Sequence, residues 1–149
     1  MSVLLCSMEG KGLTGLANLG NTCFINSCMQ VISHTHEFNI FLDKNDGIYK
    51  DKLTAYHNKE YILDSKLLVE WDNLRKLMWQ KDQIISPGGF IKAIQFVAKH
   101  KGKDIFTGYA QNDLPEFLLF ILETFHNGMR REVDMVIKGN VKTDTDVLA

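Results

Sequence analysis

The sequence predicts a mainly α fold that ends in one β-strand. Three observations carry this expectation. Apolar residues recur at helical spacing in several separate stretches, the two prolines both stand at helix starts, and a short run near the end alternates polar with apolar residues.

Taken in order, Phe24, Ile25, Cys28, Met29, Val31 and Ile32 predict a helix from Cys23 to about Ser33, and a short second helix follows from Glu37 to Leu42. The segment from Asp43 to Tyr61 is polar, carries the turn signal Asp46-Gly47 and reads as a loop. Asp64 or Ser65 is then a candidate cap for a long amphipathic helix running through Leu67, Leu68, Trp71, Leu74, Leu77 and Met78 to Trp79. Its tryptophans read as core rather than as a ligand box. Ser86 at N-cap and Pro87 at N1 open a further helix to about Lys99, with Ile91, Ile94 and Val97 on its apolar face. A last helix runs from Leu114 to His126. Val133, Met135 and Ile137 then alternate with polar residues within 131–137, the pattern of a half-buried strand.

Composition narrows the class. The chain has 149 residues, 45% of them hydrophobic, enough for one domain-sized core, and its formal net charge of −1 gives no basic field for nucleic acid. Lys99, Lys101 and Lys103 form the densest basic run and read as a solvated loop. No apolar run approaches about 18 residues, and residues 1–13 are too short and interrupted for a signal peptide, so no membrane partner and an intracellular location, cytoplasmic or nuclear, are expected. Three cysteines without framework spacing suit a reducing compartment, and no Cys-x-x-Cys pair exists to hold zinc, so neither metal nor cofactor is implied. Cys6 reads as a mobile N-terminal residue and Cys28 as core.

Cys23 is different. It stands where the glycine-broken loop Gly15-Leu16-Ala17-Asn18-Leu19-Gly20-Asn21-Thr22 meets the first helix. A helix start presents unpaired N–H groups and the positive end of the macrodipole, which favour S⁻ over S–H. The glycines allow the loop to fold back and bring Asn18 beside the sulfur. There its amide could donate to an oxyanion, with the Cys23 N–H as a second donor. A buried structural cysteine is the ordinary alternative at such a position.

The segment resembles the cysteine box of the ubiquitin-specific proteases, papain-like cysteine hydrolases that cleave ubiquitin from lysine side chains. Gly15, Leu16, Asn18, Gly20, Thr22, Cys23, Asn26, Ser27 and Gln30 stand at the family's positions. The resemblance implies that Cys23 is the nucleophile and Asn18 the oxyanion-hole donor, and that the chain adopts the helical, thumb-like subdomain of a papain-like protease. Phe106 to Leu118 resembles the family's second signature, Gln-Gln-Asp-x-x-Glu-Phe-Leu, through Gln111, Asp113, Glu116, Phe117 and Leu118. Asn112 replaces the usual second Gln, and Pro115 a usually polar residue. Asp113 and Glu116 also fit a capping box, with Pro115 tolerated in the first turn. The resemblance adds that Gln111, Asp113 and Glu116 border the cleft for the ubiquitin tail, whose basic residues the acidic pair would hold.

A papain-like enzyme also needs a histidine and an orienting Asn or Asp, which the family takes from a later β-rich region. His34, His36, His57, His100 and His126 do not stand in such a context, and only His100 and His126 merit testing. Thr143 to Ala149 offers N-cap candidates and then stops, so residues 1–149 are expected to be the N-terminal part of a longer catalytic domain that lacks its sheet-rich remainder. Two functions follow: a deubiquitinase acting through a Cys23 thioester on ubiquitin or ubiquitinated protein, or an inactive ubiquitin-tail-binding module.

Overall fold

A computed structural model describes residues 12–45, 59–80, 82–107, 110 and 112–130, with the backbone alone at 59–60. Along the chain these give β1 (Gly15–Leu16), α1 (Cys23–Ser33), α2 (His36–Lys44), α3 (Lys59–Met78), β2 (Ile84–Ile85), α4 (Gly88–His100), a 3₁₀ turn (Asp104–Phe106) and α5 (Leu114–Met129). β1 and β2 pair in parallel, with Gly15 opposite Ile84 and Leu16 opposite Ile85. Two residues per strand are too few to show alternation, so neither strand was expected. The strand expected at 131–137, like Cys6, His57 and Gln111, lies outside the described residues.

α3 is the central element. Its Leu67, Leu68 and Trp71 are fully buried, and it packs against both α4 and α5. The Trp71 ring lies 6.2 Å from Phe125 of α5 and 5.8 Å from Phe90 of α4, which makes it core as expected. Burying each such side chain contributes about 1.5–3 kcal/mol. α2 joins this layer through Arg75, whose guanidinium donates to Asp72 Oδ1 and, at 2.6 Å, to Asp43 Oδ1.

The expected start of α3 is corrected. The helix begins by Lys59, so Asp64 and Ser65 are interior residues rather than caps. Both are buried because both have partners across the layer. Lys101 Nζ lies 2.8 Å from Asp64 Oδ1, and Ser65 Oγ donates to the Gly128 carbonyl at 3.4 Å. The same pair corrects Lys101, whose side chain closes an ion pair rather than a solvated loop. Behind it α4 ends in a Schellman turn, in which Gly102 at φ +66° lets Lys103 N–H reach the Ala98 carbonyl and Gly102 N–H that of Lys99. The start of α4 also shifts by one residue, with Pro87 at the N-cap in place of Ser86.

Candidate functional site

The loop that delivers Cys23 is built around one oxygen. Asn18 Oδ1 accepts the N–H of Gly20 (3.2 Å), the N–H of Thr22 (3.1 Å) and the hydroxyl of Thr22 (3.0 Å), while Leu19 N–H donates to Thr22 Oγ1 at 3.1 Å. The first of these is an Asx turn, closed by Gly20 at φ +97° and continued by Asn21 at φ +51°, two left-handed residues of types that tolerate it. Backbone N–H groups can only donate, so the atom facing them is the carbonyl oxygen and the Asn18 Nδ2 group is turned the other way. Asn18 itself is exposed.

Two side chains one turn apart on α1 clamp this loop to the helix. Asn26 Nδ2 donates to the carbonyls of Leu16 and Ala17, each at 3.2 Å, and Gln30 Nε2 to that of Thr14 at 2.8 Å. Helical i,i+4 spacing puts both amides on one face, the sequence signal that would have assigned them this role. β1 is therefore held on one side by β2 and on the other by α1.

Cys23 occupies the first position of α1 and is exposed. Thr22 stands at the N-cap without a capping hydrogen bond, its hydroxyl turned to the loop, where it donates to Asn18 and accepts from Leu19. The first turn contains no acidic residue. Its N–H groups and the positive end of the dipole thus keep their full attraction for an anion beside the sulfur. Cys28, one turn on, is buried, and burial pushes its thiol up to about 11. The two thiols are chemically unlike, one accessible and the other an inert part of the core.

The fold brings the two sequence blocks together. Phe24, the neighbour of Cys23, meets Phe117 of α5 edge to face at 5.3 Å, and Phe106 packs on Phe117 and Phe120 at 5.6 and 5.1 Å. A crevice beside the start of α1 is lined by Asn21, Thr22, Ile91, Gln95, Phe106 and Ala110. Asn112 donates to the carbonyls of Ile105 and Ala110, so it shapes this turn. Asp113 occupies the N-cap of α5 and Glu116 its first turn, yet Asp113 makes no capping hydrogen bond and both residues are exposed. The capping-box expectation is corrected on this point.

Among the described residues no histidine is hydrogen-bonded to Cys23. His34 Nδ1 lies 2.8 Å from the Gln30 carbonyl, and the rings of His34 and His36 flank Trp79. His100 Nδ1 is held by the Phe96 carbonyl at 2.8 Å. His126 lies about 13 Å further along α5 than Phe117, toward the end that packs against α2.

A mainly helical layer with one short parallel strand pair, carrying an exposed cysteine at a helix start, is the architecture of the helical part of a papain-like domain. The profile of the ubiquitin carboxyl-terminal hydrolase family matches residues 14–147, and the chain belongs to that family. It is 35% identical over 127 residues to ubiquitin carboxyl-terminal hydrolase 2 of Homo sapiens, covering 84% of this chain and 19% of that protein. Over 120 residues it is 34% identical to ubiquitin carboxyl-terminal hydrolase 19 of Homo sapiens, covering 80% of this chain and 8% of that protein. Over 121 residues it is 36% identical to ubiquitin carboxyl-terminal hydrolase 5 of Arabidopsis thaliana, covering 80% and 12%. The chain therefore spans a fifth or less of the length of these curated relatives.

Proposed function

We propose that this chain is the nucleophile-bearing part of a thiol-dependent deubiquitinase, with Cys23 as nucleophile and Asn18 as oxyanion donor. The observation that supports the reading most is the start of α1: an exposed thiol, uncapped N–H groups, and an Asn18 oxygen fixed so that the amide nitrogen faces away from the loop. In the proposed reaction the Cys23 thiolate forms a bond to the carbonyl carbon of the ubiquitin C-terminal glycine, and the carbonyl electron pair moves onto oxygen. The Cys23 N–H and the Asn18 amide receive that charge. Collapse expels the lysine amine, which takes a proton from the general acid, and water then hydrolyses the thioester. The reading requires a histidine that the described residues do not place at Cys23. Gln111, Asp113 and Glu116 are proposed to border the tail, the exposed acidic pair holding its basic residues. The substrate is ubiquitin or ubiquitinated protein.

The test is covalent capture. The 149-residue chain is mixed with ubiquitin carrying a C-terminal propargylamide, which traps a thiol placed at the tail, and the adduct is mapped by mass spectrometry. One adduct at Cys23 is expected, absent from Cys23→Ser. The same chain is expected to show no measurable hydrolysis of a ubiquitin C-terminal fluorogenic substrate. Labelling at Cys28, or failure of Cys23 to react, would overturn the reading, and robust hydrolysis would direct attention to His100 and His126. Tail binding without capture would favour the inactive binding module.

A further inference from the structure

We infer that Thr22 is the positioning residue for the Asn18 amide, and that it performs this task in place of capping α1. The inference rests on the proposed function only in what the amide is positioned for. A Thr at an N-cap ordinarily turns its hydroxyl inward to accept an N–H of the first helical turn. Here Thr22 is buried, its dihedrals of φ −94° and ψ 13° lie outside the extended region of most N-caps, and its hydroxyl makes no cap bond. The hydroxyl has one proton to give, and it gives it to Asn18 Oδ1 while accepting Leu19 N–H. Thr22 thereby supplies two of the three donors on that oxygen, its backbone N–H and its hydroxyl.

Two consequences follow. An Asn side chain on an exposed loop would otherwise rotate about χ2, a broad and weakly restrained torsion, and its NH₂ and C=O would exchange places. Three donors converging on Oδ1 remove that freedom and commit Nδ2 to the opposite direction. At the same time the hydroxyl leaves the N–H groups of Phe24 and Ile25, the ones an N-cap side chain would accept, without a side-chain cap. Asn18 and Thr22 are four residues apart, with Gly20 between them supplying the bend. The pair is a sequence unit, Asn-x-Gly-x-Thr, whose parts make sense only together.

The experiment compares Thr22→Val, which keeps the shape and the backbone donor but removes the hydroxyl, with Thr22→Ser, which restores it. Two readouts are taken on the whole chain. The first is ¹⁵N relaxation of the Asn18 side-chain NH₂, expected to be ordered in the wild type and Thr22→Ser and mobile in Thr22→Val. The second is affinity for ubiquitin C-terminal aldehyde, whose hemithioacetal places an oxygen where an oxyanion would form, set against the rate of propargylamide capture, which places none. Removing an oxyanion donor outright costs 10²–10³-fold, so loosening one is expected to weaken the aldehyde on the order of tenfold while capture changes less than about twofold. Thr22→Ser is expected to recover the aldehyde affinity. An Asn18 amide equally ordered in Thr22→Val, or an equal loss in both probes, would overturn the inference. If the wild type takes neither probe, the deubiquitinase reading fails, and relaxation alone decides whether Thr22 fixes Asn18. Should Thr22→Val fail to fold by circular dichroism, Thr22→Ala and Thr22→Ser carry the same comparison.

Discussion

The starts of α1 and α5 each place a favoured capping residue at the N-cap, Thr22 and Asp113, and neither makes the cap bond. At α1 the polar side chains are spoken for by one another: Asn18 by Thr22, Asn26 and Gln30 by the carbonyls of the incoming strand. At α5 Asp113 and Glu116 stand in the positions of a capping box, are exposed, and Asp113 makes no cap bond. The difference teaches that residue type at a helix start does not reveal where a side chain spends its hydrogen bonds. At one start the polar groups are bonded to one another and to the incoming strand, while at the other the charges face outward.

The comparison is broken most severely at Asn18. Asn18→Ala is expected to lower kcat on a ubiquitin C-terminal substrate by about 10² or more with little change in KM, measured in a form of the protein that turns over, because the contact strengthens mainly in the transition state. An unchanged kcat would reduce Asn18 to a loop-shaping residue. At α5 the opposite profile is expected. The double substitution Asp113→Asn and Glu116→Gln should leave stability within about 0.5 kcal/mol, the ordinary range for surface changes, while weakening ubiquitin-tail binding in a salt-dependent way. A stability loss of about 1 kcal/mol in urea, without loss of binding, would restore the capping role.

The smallest effect concerns the buried Asp64, paired with Lys101 at the end of α4. Burial raises the Asp64 carboxyl above its ordinary 3.8, against the opposing pull of Lys101. A folded value above the unfolded one means that Asp64 contributes stability below pH 3.8 and that this contribution is lost as pH rises through the folded value. Urea titrations of the wild type and Asp64→Asn from pH 3 upward should therefore show the wild type losing ground to the variant across that window. A wild type that gains instead would show that the Lys101 ion pair outweighs burial.

Much of this was legible in the sequence, and the misses have a common cause. The spans of α1, α2, α4 and α5 follow from apolar periodicity and from Pro87 and Pro115, because those features act locally. Asp64 and Ser65 resemble a helix start in sequence because their partners, Lys101 and Gly128, lie 37 and 63 residues away. The convergence of Phe24 with Phe117 is likewise tertiary, and only the family resemblance anticipated that the two blocks would meet. Cys23 and Asn18 were visible as residues. The hydroxyl that organises them was not, since Thr22 looks like any other cap.

Gly128 lets α5 rest directly on the backbone of α3. A Cβ there would sit 3.1 Å from the Asp64 carbonyl oxygen and 3.3 Å from Ser65 Cα, both backbone atoms that cannot swing aside. A side chain at 128 therefore requires the contact between α5 and α3 to give by a few tenths of an ångström. Phe117 lies about 16 Å further back along the same helix. That ring leans on Phe24, the residue after the exposed thiol. One helix thus carries both the closest approach to α3 at Gly128 and the ring that seats the start of α1.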